Sequence, residues 1–410
     1  MVDYKRTKLG CYVSNIAMAA VSSLSPLLFI AFRELYGFSY TLLGLLVLVN
    51  FVTQLTIDIV FSLFSHKFNI PKTVKFTPVL AVIGFVLYAG LPILFPNIAY
   101  VGLLLGTIVF SASSGLCEVL LSSVVAAIPA ENPEREMSKL HSIYAWGVVG
   151  VIVFGTLYQL VFHAENWFYL AFLFALIPLC SAILFAGAEI PPMQTPEKTS
   201  GALAFFKDKS LWLCVIAIFL GGASECTMSQ WSSGYLERAV GLPKVWGDIF
   251  GVAAFGVTLG LGRTLYAKIG KNVEKVLFFG AIGATACYAL AVFVNIPLVG
   301  LFACAFTGFC VSMLWPGSLI VASEKFPQGG VFIYAMMAAG GDLGASVGPQ
   351  LVGVVTDGVI ASSSASSLAS SLALTVEELG MRVGMLVGTA FPLLAILVFA
   401  ILWKSTKHKQ

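Results

Sequence analysis

Twelve apolar runs, each about as long as a bilayer is thick, leave this chain few ways to fold. They cover residues 10–32, 40–64, 74–94, 100–128, 139–162, 167–187, 211–235, 247–267, 275–294, 298–322, 331–356 and 382–403. A helix of about 20 predominantly apolar residues crosses the hydrocarbon core. Charged residues make up only 10% of the 410 positions, against roughly 25% in a soluble domain. The pattern predicts an all-α membrane protein with twelve transmembrane helices.

The loops orient those helices. An even number of spans puts both termini on one side. The N-terminus, the even-numbered loops and the C-terminus together hold 19 of the 23 lysines and arginines. Only Arg33, Arg238, Lys244 and Arg382 fall on the other side. The positive-inside rule then predicts a multi-pass protein of the cytoplasmic (inner) membrane with both termini cytoplasmic. Lys5, Arg6 and Lys8 precede the first run as they would in a signal peptide. That run is too long for an h-region and lacks a small-residue cleavage site, so it is expected to stay as the first helix.

Residues 188–210 carry prolines and charges and read as a cytoplasmic linker. They divide the chain into an N-terminal six-helix bundle, 1–187, and a C-terminal one, 211–410. Leu203–Phe206 beside Lys207 and Lys209 is suited to lying on the membrane surface. A faint repeat supports the division. Ile143-Tyr144-Ala145 with Gly150 recurs 190 residues later as Ile333-Tyr334-Ala335 with Gly340, as in transporters built from parallel repeats. Glycines four apart, Gly340, Gly344 and Gly348, predict close helix contact. Residues 357–380 include a Ser/Ala-rich stretch that is expected to be flexible or weakly helical.

Ionisable residues within the spans are few and can be weighed singly. A carboxylate in a bilayer costs at least a few kcal/mol unless protonated, paired or facing water. Glu118 shares a helical face with Ser114, Gly115 and Ser122, a stripe suited to lining a watery cavity. The blander reading is a protonated carboxyl bonded to a serine. Glu225 has Ser229 and Ser232 on its face and Gln230 and Trp231 beside it. Asp342 aligns with Ser346 and Gln350 among glycines. Glu118, Glu225 and Asp342 are the candidates for proton coupling. Asp58, one turn after Gln54, reads as a gate or structural partner. Arg263 either pairs with an acid across the bundle or snorkels to the inner interface, and its place near a helix end favours snorkelling.

The candidate substrate shell is Asn15, Ser22, Ser122, His141, Glu225, Gln230, Trp231 and Trp315. Tryptophan at membrane depth usually packs. Beside Gln230 and Glu225, however, Trp231 is placed to stack on a sugar ring while the amide and acid hold hydroxyls. His141 titrates near neutral pH, though a histidine at a helix start is often only hydrogen-bonded.

Several classes are excluded. Four embedded acids face one embedded arginine, whereas a carrier of phosphate esters or carboxylates needs several cations in its cavity. A neutral polyhydroxy solute or a cation fits better. There is no Walker loop, no HExxH or GxSxG, and no basic arm for nucleic acid. The eight cysteines form no CxxC pair and indicate neither a disulfide framework nor a zinc site. No cofactor or metal is implied, and the chain is expected to act as a monomer.

Six plus six helices, a cytoplasmic linker and the echo between helices 5 and 11 resemble the major facilitator superfamily over essentially the whole chain. Within it the chain is most similar to the fucose-permease-like sugar:proton symporters. The residues carrying that similarity are Glu118, Ser122, Pro129 and Glu131 on and after helix 4, and Gly221-Gly222, Glu225 and Trp231 on helix 7. The resemblance implies sugar uptake by alternating access, with Glu118 in proton coupling. The branch's helix 1 acid is replaced by serine at or near Ser22, upstream of Pro26. The loop 2–3 signature is degenerate, Ser62-x-x-x-His66-Lys67-x-Asn69. The Gly-Pro signature of drug/proton antiporters is missing from helix 5, where Gly147, Gly150 and Gly155 have no proline. The expected function is therefore proton-coupled symport of a small neutral polar solute. The alternative is a proton-coupled exporter of cationic or amphipathic compounds.

Overall fold

The computed structural model describes residues 4–64, 67–129, 133–192, 207–269, 272–326 and 330–407. The regular structure among them is helical throughout. Eleven helices are long and apolar enough to cross a membrane, and a bent pair supplies a twelfth. Within hydrocarbon every backbone N–H and C=O must find a partner in the protein, and the helix provides one within each segment.

The bent pair is α1 (Lys5–Leu27) and α2 (Phe29–Tyr36), which meet at 45°. The sequence predicts one continuous helix here. Pro26 lies inside the last turn of α1 and brings no N–H to the ladder. The Leu27 carbonyl at the break is satisfied instead by the Lys244 ammonium, 2.9 Å away.

The chain forms two compact units. The first comprises Met1–Ser25 and Val49–Gly201, the second Pro26–Leu48 and Ala202–Gln410. The changeover at Gly201 falls inside the expected linker. The segment Pro26–Leu48, expected with the N-terminal bundle, groups with the second unit.

The first unit holds α1, most of α3 (Tyr40–Phe64), α4 (Ile70–Leu94), α5 (Ala99–Ala127), α6 (Pro133–Phe162) and α7 (Trp167–Ala186). Helices α4 and α5 lie backbone to backbone. A Cβ on Gly84 would sit 2.4 Å from the Phe110 nitrogen, and one on Gly106 would sit 2.4 Å from the Tyr88 Cα. Ser181 fastens α7 to α1 through Ser14 at 2.6 Å and the Gly10 carbonyl at 2.9 Å.

The second unit contains α8 (Lys209–Arg238), α9 (Lys244–Trp246) running through a π-helical turn (Gly247–Ala253) into α10 (Ala254–Ile269), and α11 (Val273–Phe293). It continues with α12 (Pro297–Val311), α13 (Leu314–Lys325), α14 (Gly330–Ile360), α15 (Ala365–Ser371), α16 (Val376–Gly388) and α17 (Ala390–Lys407). The glycine row works as small residues four apart predict. Gly340, Gly344 and Gly348 of α14 meet Val215, Phe219 and Ala223 of α8, and the Phe219 carbonyl lies 2.0 Å from where a Gly344 Cβ would be. The Ser/Ala-rich stretch folds in part as α15.

Polar contacts explain why Pro26–Leu48 belongs to the second unit. The first two N–H groups of α3 donate to Asp357, Tyr40 at 3.1 Å and Thr41 at 2.6 Å. A carboxylate at a helix N-terminus satisfies orphan donors and complements the dipole. Glu377 accepts from Arg33 at 3.1 Å and from the Tyr40 hydroxyl at 2.6 Å. Glu34 pairs with Arg238. Arg382 donates to the Val292 and Ala239 carbonyls and to Asn295. All four basic residues that break the charge asymmetry thus have a specific structural partner.

Candidate functional site

In the first unit a polar seam runs between α3 and α5. Positions 50, 54 and 58 of α3 and 111, 115 and 118 of α5 recur at one-turn spacing, so each set shares a face. The Ser111 hydroxyl donates to Asn50 at 2.5 Å. One turn on, Gly115 lets the α3 backbone approach closely, with the Gln54 Cα and carbonyl 3.1 Å from the position of a Cβ. A further turn on, carboxylate oxygens of Asp58 and Glu118 lie within 4.8 Å of each other. Asp58 is buried and Glu118 is partly exposed.

As two anions no more than 4.8 Å apart these groups repel by at least about 3.5 kcal/mol at an effective dielectric near 20. A single proton on either turns the repulsion into an attraction. The arrangement can therefore take up and release one proton with a large local change in charge. Asp58 was expected as a gate or structural partner, separate from the coupling acids; the structure places it beside Glu118.

The second unit has its own ionic node. Arg263 of α10 donates to both oxygens of Glu225 on α8, at 3.1 and 3.2 Å. Its Nε donates to the Ser312 carbonyl at 3.1 Å. Ser312 lies at the break between α12 and α13, and Pro316 follows four residues later. Proline has no N–H to give back to residue i−4, and the guanidinium fills that vacant role. This corrects the snorkelling reading. The side chain turns inward because two acceptors of the node, Glu225 and the Ser312 carbonyl, need it.

The same break positions Trp315. Its ring covers Gly222 of α8 and Gly341 of α14, where Cβ atoms would lie 2.9 and 2.4 Å from ring carbons. Asp342, the next residue, is buried at 2% exposure, and the Ser346 hydroxyl donates to its backbone carbonyl at 2.7 Å. Glu225, Arg263, Trp315 and Asp342 therefore occupy neighbouring helices of one unit.

Other expected residues are placed differently. Trp231 is 1% exposed. Its indole N–H donates to the Pro349 carbonyl at 2.9 Å, and its ring packs on Phe29 and Tyr40. The adjacency to Glu225 and Gln230 in sequence suggested a stacking platform; the helix turns the ring into the packed interior. Asn15 is buried, with its amide donating to the Leu140 carbonyl at 2.7 Å, so it fastens α1 to α6. Ser22, partly exposed, lies 3.1 Å from the Tyr144 hydroxyl. Tyr144 had been noted only as part of the repeat. The Gln230 amide oxygen is buried with no hydrogen-bond partner among the described residues. The side chains of Ser122 and His141 lie outside the described residues.

Two compact units of helices long and apolar enough to cross a bilayer define a multi-pass membrane protein. The profile of the Major Facilitator Superfamily matches residues 11–349, and the chain belongs to that superfamily. An uncharacterized MFS-type transporter of Yersinia pestis is 22% identical over 351 residues, covering 85% of this chain and 88% of the relative. Among solved structures, a bacterial homolog of the human lysosomal transporter Spinster, inward-facing and occupied, superposes with TM-score 0.74 at 12% identity, covering 97% of this chain and 96% of that one. The D-xylose-proton symporter gives TM-score 0.69 at 16% identity, with 95% and 97% covered. The fucose:proton symporter FucP of E. coli gives 0.60 at 15%, with 96% and 99% covered. At these identities the likeness is one of fold. The fucose-permease-like branch, singled out by the sequence, does not stand out from the others.

Proposed function

We propose that this protein is a proton-coupled symporter of a small neutral polar solute, a sugar or polyol, working by alternating access in the cytoplasmic membrane with both termini cytoplasmic. The observation that carries the reading is the approach of Asp58 and Glu118 in the first unit. A carboxylate pair that gains one proton exchanges a strained, doubly charged state for a singly charged, hydrogen-bonded one. A ligand or proton shifts a conformational equilibrium only through its differential affinity for the two states, and a proton on this pair removes its mutual repulsion. Glu225 and Asp342 are secondary candidates.

The second unit supports the proposed solute class. Its embedded arginine is already neutralised by Glu225, so the node offers no spare cation to an anionic substrate. Glu225 and Trp315, both partly exposed, supply a polar and an aromatic surface, the combination that suits a polyhydroxy ring. Two sugar symporters share the fold, which is consistent with this reading.

The test is Glu118→Gln in proteoliposomes. Accumulation of solute driven by a pH gradient should vanish while solute exchange survives. Unchanged accumulation would remove Glu118 from coupling. A thermal-shift screen of sugars, polyols and organic cations identifies the solute. Stabilisation by organic cations alone would replace symport with export of cationic compounds.

A further inference from the structure

On the lysine-rich side of the first unit, α3, the start of α4 and α5 enclose a cleft of about 410 Å³. Its walls include Val60, Phe61, Phe68, Phe76 and Leu116, and the charged residue in its lining is Lys72. Phe68 and Phe76 are 42% and 51% exposed, and Val60 is 38% exposed. Phe61 and Phe68 stack at 5.0 Å and form one wall. The volume falls in the range of small-molecule pockets, roughly 300–1,000 Å³, yet this lining has almost no polar surface to orient a sugar.

Lys72 brings opposite chemistry to this lining, and two more lysines lie close to it in sequence. Lys67 and Lys72 are exposed and Lys75 is half-buried, all within the α3–α4 connection and the first turns of α4. Asn69 caps that helix by accepting from the Lys72 N–H at 3.1 Å, so the positive end of the helix dipole adds to the three ammonium groups. Among the described residues the cleft lining contains no acid. An apolar slot with Lys72 in its lining and Lys67 and Lys75 near it in sequence matches one class of molecule in both parts.

We propose that this cleft is a binding site for an anionic glycerophospholipid, with one acyl chain in the slot and the phosphate headgroup on Lys67, Lys72 and Lys75. Basic pockets at the membrane edge recognise anionic headgroups, and each lysine near the surface adds to the attraction. The acyl chain fixes this lipid in one place where a surface lysine cluster alone would only concentrate it. Leu116 lies two residues from Glu118, and Ile57, also in the lining, precedes Asp58. The lipid thus props α3 against α5 behind the carboxylate pair. The proposal stands independently of which solute is carried.

The experiment uses the full chain in detergent, with phosphatidylglycerol and phosphatidylcholine of identical acyl chains titrated in. Native mass spectrometry reads occupancy and thermal unfolding reads stabilisation. Phosphatidylglycerol should bind roughly a hundredfold more tightly than phosphatidylcholine, from about 1 kcal/mol for each of three lysines. Replacing Lys67, Lys72 and Lys75 together by Gln should erase that preference. Leu116→Trp should fill the slot and abolish tight binding of both lipids. Val60→Trp at the exposed wall serves the same purpose should the first variant fail to fold. Equal affinity for the two lipids would overturn the proposal. So would retention of the preference in the triple Gln variant, or glycerol 3-phosphate binding as tightly as the intact lipid.

Discussion

Replacing Arg263 by Met should cost the second unit more than the loss of one ion pair. The guanidinium makes two bonds to Glu225, at 3.1 and 3.2 Å, and one to the Ser312 carbonyl, at 3.1 Å. Removing one partner of a buried pair costs about 3–5 kcal/mol, because the other charge stays behind. Arg263 is 34% exposed and Glu225 16%, so solvent screening discounts the ionic part to about 1–2 kcal/mol. The orphaned carbonyl adds roughly 1–2 kcal/mol. The sum is about 2–4 kcal/mol. Two compensations follow from the geometry. In a Glu225→Gln background the ionic part should disappear, leaving the carbonyl cost. In a Pro316→Ala background the new N–H can serve Ser312, and the carbonyl cost should fall instead. The assay is a pair of double-mutant cycles on the unfolding free energy of purified protein in mixed micelles. Each cycle should give a coupling of about 1 kcal/mol or more. Couplings within about 0.5 kcal/mol of zero in both, the level of independent sites, would refute the three-way node.

Four further outcomes are expected. Gly344→Ala should lower the unfolding midpoint, since the new Cβ would lie 2.0 Å from the Phe219 carbonyl and overpacking costs about 1–3 kcal/mol. Gly150→Ala, where a Cβ meets nothing within 4 Å, should raise it through roughly 0.5–1 kcal/mol of helix propensity. Asp58→Asn should reduce pH-gradient-driven accumulation in proteoliposomes as Glu118→Gln does, and the double variant should be no worse than either, because the two acids act as one unit. Asp357→Asn should weaken the N-terminus of α3 by about 0.3–1 kcal/mol, read as faster amide exchange at Tyr40 and Thr41.

Much of the fold was legible because hydrocarbon imposes a simple rule. Run length and polarity located the spans, and the spacing of Gly340, Gly344 and Gly348 announced a close helix contact. The first span was misread as continuous. Pro26 is a visible signal, but the break is stabilised by Lys244, more than 200 residues away. The same distance hid the site's pairings. Asp58 and Glu118 sit on helices separated by α4, and the facing register depends on Gly115 meeting Gln54. Arg263 gave no sign of its partner, since the decisive acceptor is a backbone carbonyl freed by Pro316. Trp231 misled for the opposite reason. Its neighbours in sequence are polar, while its neighbours in space are Phe29, Tyr40 and a proline carbonyl.

The grouping of Pro26–Leu48 with the second unit bears on how this chain could be divided. The chain changes unit three times, at Ser25–Pro26, Leu48–Val49 and Gly201–Ala202. A cut in the linker would therefore not release two self-sufficient halves. The N-terminal fragment would carry off Phe29, Glu34 and Tyr40, leaving Trp231 bare of its two rings, Arg238 without Glu34, and Asp357 without the N-terminus of α3. Two such fragments made as separate polypeptides would have to complement each other as strand-exchanged partners do.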